Sequence, residues 1–220
     1  MKKIFLTTGL LSILAIPAMA ETKIFLGANA GFAGPVFSDD VDDSIDDDIL
    51  KSDSGTVTMS GVLGLRFGER SSVYNGGVSA TLSYMPQVGN ITDGPNFILE
   101  DSYGNFYRVN MDGKIDLTTL FFTYDNYTRL SGNEGRRLDF VISLGLGHAW
   151  VSESMTVYGY GKETMSDNGA AGVLKLGLNG ETAVDGLDWN VNLNFIGLNA
   201  DDDFDLQGAY SIDFGLRYTF

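Results

Sequence analysis

The stretch "LDWNVNLNFIGLN" alternates strictly, with Leu187, Trp189, Val191, Leu193 and Phe195 on one side of an extended chain and Asp188, Asn190, Asn192 and Asn194 on the other. Successive side chains of a β-strand point to opposite faces, so this is a strand with one oily face and one hydrogen-bonding face. In "TVTMSGVLGLRF", Val57, Met59, Leu63, Leu65 and Phe67 oppose Thr56, Thr58, Ser60, Gly64 and Arg66. In "LDFVISLGLGHAW", Leu138, Phe140, Ile142, Leu144, Leu146 and Trp150 oppose Asp139, Ser143, Gly145, Gly147 and Ala149. Helical periodicity is hard to find after residue 20, whereas period two gives eight runs, at about 23–34, 55–67, 73–85, 114–127, 138–151, 171–183, 187–199 and 207–220. In the fourth run Leu120, Phe122 and Tyr124 give one facing and Ile115 and Leu117 the other, and a β-bulge would reconcile them.

The connections set the topology. They are long (35–54), short (68–72), long (86–113), medium (128–137), long (152–170), very short around Asp185-Gly186, and short but acidic (200–206). Asp-Gly between alternating runs is a two-residue hairpin signal. Long loops then gather at one end of an up-and-down antiparallel sheet and both termini at the other. Within 86–113, "NFILEDSYGNFYRVN" holds two short alternating runs around Tyr103-Gly104, which predict a projecting hairpin. A ten-stranded barrel would need each run to reach about nine to eleven residues, so ten strands stay the minor alternative to eight.

A lipocalin-like barrel turns its apolar residues into a ligand cavity, and a β-sandwich wets one face of each sheet. In this chain the faces opposite the oily residues carry glycine, hydroxyls and amides rather than the Lys and Glu of soluble strands. Small and amide-bearing residues facing a lumen, with Leu, Val, Phe, Tyr and Trp facing out, form the pattern of a transmembrane β-barrel. In lipid every backbone donor and acceptor must be paired within the protein, so the sheet must close by joining its first strand to its last. The last strand, ending on Phe220, becomes the seam.

Residues 1–20 have the organisation of a secretory leader, with Lys2 and Lys3 as the basic start, residues 4–16 as the apolar stretch and Ala18-Met19-Ala20 as the cleavage site. The mature domain is then 21–220. No later segment offers eighteen consecutive apolar residues, so no transmembrane helix is expected. The chain has no cysteine, so closure rather than disulfides must hold it in an oxidising compartment. There are 14 Lys and Arg against 29 Asp and Glu, and loss of Lys2 and Lys3 with the leader takes the net charge from −15 to −17. That balance argues against nucleic acid as a partner.

The opening "KIFLGANAGFAG", the central "LDFVISLGLGHAWVS" and the final "YSIDFGLRYTF" together resemble the small eight-stranded bacterial outer-membrane β-barrel family, which includes the outer-membrane protein A, X-type and opacity-type surface-antigen barrels. The resemblance implies residence in the outer membrane among lipid and lipopolysaccharide. It also implies recognition of the terminal strand by the outer-membrane assembly machinery, through Tyr210, Ile212, Phe214, Leu216, Tyr218 and Phe220.

Eight strands enclose an interior just wide enough for side chains to fill. By strand parity Arg66, Arg217, Asp139, Glu181 and Asp188 point inward near the periplasmic end, Lys175 and Asp213 point inward near mid-height, and Asn190, Asn192 and Asn194 line one wall. Isolated buried charges cost several kcal/mol each, which predicts an internal salt-bridge and amide network. A narrow porin-like channel is the alternative. His148 is the only histidine, so acid–base chemistry would have to run through it. Its parity places it outward with Trp150 in the aromatic girdle, and Trp150 occupies the position where lipid A deacylases of the family carry their serine; a lipid-modifying enzyme is the second alternative. With no second His and no Cys, neither a transition-metal site nor a cofactor is expected.

"SDDVDDSIDDDILKSDS" contains Asp39, Asp40, Asp42, Asp43, Asp46, Asp47 and Asp48, and "DDDFD" contributes Asp201, Asp202, Asp203 and Asp205. The spacing lacks the central Gly and bidentate Glu of a calcium loop. The expectation is a pair of solvated acidic surface loops that attract divalent cations or cationic surface ligands. The chain is thus expected to be a non-enzymatic outer-membrane barrel with a structural or surface-interaction role.

Overall fold

A computed structural model describes residues 22–37, 55–68, 73–92, 97–100, 106–109, 111–132, 137–157, 161–199 and 206–220. The stretch read as a leader and both aspartate-rich segments lie outside these residues. Alternation of bulky and small side chains favours extended backbone, and the strands are β1 (Thr22–Phe37), β2 (Thr56–Phe67), β3 (Tyr74–Thr92), β4 (Phe97–Glu100), β5 (Phe106–Val109), β6 (Met111–Ser131), β7 (Leu138–Val157), β8 (Gly161–Glu181), β9 (Leu187–Asn199) and β10 (Leu206–Thr219). Eight of them close in the order β1-β10-β9-β8-β7-β6-β3-β2, all antiparallel, and β4 pairs only with β5 as the predicted hairpin. The eight-stranded reading therefore holds.

The seam joins β1 to β10 from Phe25 opposite Thr219 to Phe37 opposite Leu206. Below it the Phe220 amide donates to the Ile24 carbonyl at 2.9 Å, and the Tyr218 and Phe220 rings meet edge-to-face at 5.1 Å. Closure satisfies both sheet edges without a covering element. Outward positions on every wall carry large exposed apolar groups, among them Phe32, Leu63, Leu82, Phe122, Leu146 (76% exposed) and Phe214. A continuous apolar wall of this kind is unfavourable in water and matched to hydrocarbon. The fold is a closed transmembrane β-barrel.

The structure corrects four sequence-based expectations. The predicted loops 86–113 and 152–170 are largely strand: β3, β6, β7 and β8 run well past their predicted ends, and only residues 158–160 separate β7 from β8. Alternation continues through these stretches with polar residues on both faces, so hydrophobicity does not reveal it. The Asp185-Gly186 turn spans 182–186 rather than two residues, because Thr182 Oγ accepts from the Val184 amide and donates to the Leu187 carbonyl at 2.8 Å, and Gly186 takes a φ of 78°.

Over residues 115–124 β6 carries no bulge, and its register shifts only beyond them, between Arg129 and Ser131; the bulge near that stretch lies on β3. Its register shifts between Met85 and Gly89, opposite Leu117 and Ile115; Gln87 adopts a φ of 52°, its amide donates to Asp116 Oδ1 at 2.7 Å, and Thr56 donates to the Pro86 carbonyl. β6 itself keeps a single phase, with Ile115, Leu117, Thr119 and Phe121 inward and Leu120, Phe122 and Tyr124 outward. Finally, the lumen is not uniformly small and polar. Ala33, Met85, Val88, Ile115, Leu117, Phe121, Ala149, Val151, Ala171, Val173, Ile196, Leu206 and Ala209 form an apolar cluster that fills the half of it away from Lys23 and Phe220. A closed lumen excludes water as hydrocarbon does, so apolar side chains are stable on either face of the wall.

Bare backbone makes room for the largest inward rings. A Cβ at Gly64 would lie 2.6 Å from the Val78 carbonyl oxygen and 2.8 Å from Phe25 Cε1, and one at Gly77 would lie 2.8 Å from the Leu65 oxygen and 3.2 Å from Tyr127 Cε2. Phe25 and Tyr127 therefore lie against the wall only because these two positions are glycine.

Candidate functional site

Beneath the apolar layer the lumen is polar, in two tiers. In the tier nearest Lys23 and Phe220 Asp139, at the foot of β7, is fully buried and accepts from Arg66 Nη2 and Arg137 Nε, each at 2.6 Å. The Arg137 amide donates to Glu181 Oε2 at 3.1 Å, and Asn179 donates to Asp188 at 3.3 Å. Tyr127 lies between two guanidiniums: Arg66 sits 4.3 Å above its ring and Arg217 donates to its hydroxyl at 2.7 Å while stacking on Phe25 at 4.2 Å. Delocalised cations over aromatic faces hold charge in a partly dehydrated place where an ammonium would fare worse. Burial lowers the pKa of the Arg137 guanidinium, and its hydrogen bond to Asp139 opposes that shift. Arg66, Asp139, Glu181 and Asp188 floor a cleft of about 320 Å³ that Lys23 and Asp185 also line.

In the middle tier Asp125 accepts from Ser79 at 3.0 Å and Thr123 at 2.9 Å, and the two hydroxyl oxygens lie 2.7 Å apart. Asn194 donates to both Ser211 and Asp213 at 2.8 Å, Asn192 donates to Asn190 at 2.7 Å, and Asn29 donates to Ser60 at 2.9 Å. Lys175 is buried among them and feels the charges of Asp125 and Asp213 without a direct ion pair among the described residues. A cavity of about 20 Å³ lies among these groups, room for about one water.

All ten lumen residues named from parity are therefore inward, but they divide into two clusters rather than one network. Sequence reasoning missed Asp125, Tyr127 and Arg137. The first two share the parity of Ile115 and Leu117, the signal that the doubtful phase of the fourth run obscured; Arg137 precedes its strand, where alternation carries no information. Tyr210, Ile212, Phe214, Leu216, Tyr218 and Phe220 all face outward.

On the outer face His148 lies edge-on to Trp150 at 4.7 Å, and its Nε2 sits 3.1 Å from Asn168 Oδ1. A ring packed on tryptophan at the upper rim suits the boundary between hydrocarbon and headgroups. Among the described residues no group of three or more His, Cys, Asp or Glu could hold a metal ion.

A closed, up-and-down barrel of eight antiparallel strands, apolar outside and packed inside, is the fold of the small outer-membrane β-barrels. The chain is similar in structure to a major outer membrane protein of Thermus thermophilus, with a TM-score of 0.54 and 13% identity over 91% of this chain and all of that one. It also aligns with Ail, the attachment invasion locus protein of Yersinia pestis (TM-score 0.45, 14% identity, 91% of this chain and 99% of that one), solved in complex with the heparin analogue sucrose octasulfate. Neisserial surface protein A aligns at a TM-score of 0.44 and 9% identity, with the same coverage. No protein-family model and no curated protein matches the sequence.

Proposed function

We propose that this chain is a non-conducting outer-membrane barrel whose sealed lumen is structural and whose work is done by what it holds at the cell surface. The observation that carries the reading is the lumen's filling: Leu117 and Val88 are 0% exposed within the apolar layer, and the polar tier beneath it retains space for about one water. An ion crossing here would have to shed its hydration shell against hydrocarbon-like side chains, which disfavours the channel alternative. His148, held by Asn168 and Trp150, supports a girdle role better than a lipid-modifying one.

Export by the leader and insertion through the C-terminal strand are parts of the same proposal, as are lipid and lipopolysaccharide as its surroundings. The test uses protein purified from outer membranes, starting at Glu21. In planar bilayers it is expected to give no discrete current steps, and steady openings in the unmodified protein would overturn the sealed-scaffold reading.

The aspartate-rich segments 39–48 and 201–205 complete the proposal as collectors of divalent cations or cationic ligands. Replacing their aspartates by asparagine is expected to abolish the stabilisation of the folded barrel by millimolar Mg²⁺. An unchanged Mg²⁺ dependence of the thermal midpoint would count against that role.

A further inference from the structure

At the end of the barrel that carries Lys23 and Phe220, two pairs of like charges stand side by side in the sheet. Lys23 of β1 lies directly opposite Arg66 of β2, and Glu181 of β8 lies directly opposite Asp188 of β9. All four share the inward parity of their strands. Like charges placed directly across a ladder are unfavourable. The two pairs sit on separate walls of the mouth, with β10 between them on one side and β7, β6 and β3 on the other. Both pairs line the cleft of about 320 Å³, a volume at the small end of the range of about 300–1,000 Å³ for ligand pockets.

The acidic wall holds under-used acceptors. Asp188 is 7% exposed and takes one hydrogen bond among the described residues, from Asn179 at 3.3 Å. Asn179 is 3% exposed and lines the same cleft, and its Oδ1 has no hydrogen-bond partner among the described residues. A buried acceptor left unpaired is unfavourable, and an ammonium brings three N–H donors to such a group of oxygens. On the basic wall Arg66 donates to Asp139, which Arg137 also shares. That carboxylate is divided between two guanidiniums, so an added anion has Arg66 and Lys23 to meet.

We propose that this cleft binds a small zwitterion of the amino-acid or dipeptide class, its ammonium against Asp188 and Glu181 and its carboxylate against Lys23 and Arg66. A small rotation of the Asn179 amide brings its orphaned oxygen to the same ammonium. One molecule charged at both ends supplies a counter-charge to each like-charged pair at once, which neither a cation nor an anion alone can do. The four charged side chains face the mouth rather than the outer wall, so a dissolved solute reaches them more directly than a phospholipid headgroup tied to chains outside the barrel. Beyond the cleft the lumen narrows to a cavity of about 20 Å³ and then to the apolar layer. The site is therefore a dead end that holds its solute.

The inference goes beyond the scaffold reading and is tested apart from it: current steps would change where the solute goes, not whether it binds. The probe is glycylglycine, added to the full mature chain in detergent micelles and followed by the amide resonances of the cleft. Saturable shifts confined to this end of the barrel are expected at millimolar peptide. N-acetylglycylglycine, which lacks the ammonium, and glycylglycinamide, which lacks the carboxylate, should each bind about tenfold more weakly. Lys23→Gln should remove the discrimination against glycylglycinamide and keep that against the acetylated peptide. Asp188→Asn should do the reverse. A general loosening of the mouth would not produce that crossed pattern, and Lys23→Gln leaves the Asp139 cluster intact.

The proposal fails if glycylglycine gives no saturable shifts, or if both capped peptides bind as well as it does. Equal weakening of all three peptides by the two variants would also overturn it, and would mark the four charges as structural. So would shifts produced by phosphatidylethanolamine added to the micelles and not by glycylglycine, which would put a lipid headgroup in place of the solute.

Discussion

Asp139→Ala is expected to destabilise the folded barrel by about 3–5 kcal/mol, read as a fall in the midpoint of denaturant unfolding in micelles. The carboxylate is fully buried and is shared by Arg66 and Arg137 at 2.6 Å each. Its removal leaves two guanidiniums beside the cleft at this end of the lumen, one of which is already committed to the face of Tyr127. Such a loss measures an orphaned charge rather than the worth of an ion pair. The triple variant Asp139→Leu, Arg66→Met, Arg137→Met should therefore recover most of the stability, since well-packed apolar groups often replace a buried ionic cluster at little cost. A drop below about 1 kcal/mol for Asp139→Ala would mean that water in the adjoining cleft screens the arginines and that the tier is looser than its distances imply.

That cluster also shows which parts of the structure are visible in a sequence. Arg66, Asp139, Glu181, Asp188 and Arg217 can be placed inward from parity alone, because each sits in a run whose other face is plainly oily. Their partners cannot: Arg66 and Asp139 are 73 residues apart, and Arg217 meets Tyr127 across 90. Those distances are set by how far the sheet must travel before it closes, which no local window contains. Arg137 stands outside any alternating run, so its approach to Asp139 has no periodic signature. The acidic segments lie outside the described residues, and their role stays an inference from composition.

The fourth run marks a different limit. Leu117 and Phe122 are both apolar, yet one is sealed in the lumen and the other is 65% exposed on the outer wall. Alternation sorts residues by face only while the two faces meet different media. In the upper half of this barrel both are dry, so hydrophobicity loses its power to report direction, and a continuous β6 looks like a strand that changes phase. The bulge near that level belongs to β3, where Pro86 cannot donate to a ladder and the Asp116 carboxylate accepts from the Gln87 amide.

Leu117→Ala combined with Phe121→Ala is the sharpest probe of that dry upper layer. Single large-to-small changes in a packed core cost about 2–5 kcal/mol, and two residues of one cluster are expected to couple rather than add. The barrel should therefore unfold at markedly lower denaturant while remaining silent in planar bilayers, because Val88, Val151, Val173 and Ile196 keep the layer's walls apolar and the buried Thr119 hydroxyl between the two positions adds a hydrogen-bonding group without a continuous polar path through it. Leu117→Ser with Phe121→Ser removes similar bulk but supplies hydroxyls, and should admit water and produce brief current steps. If the alanine pair conducted as readily as the serine pair, bulk rather than dryness would be the barrier. If neither pair lost stability, Leu117 and Phe121 would not be packed in this layer as their burial implies.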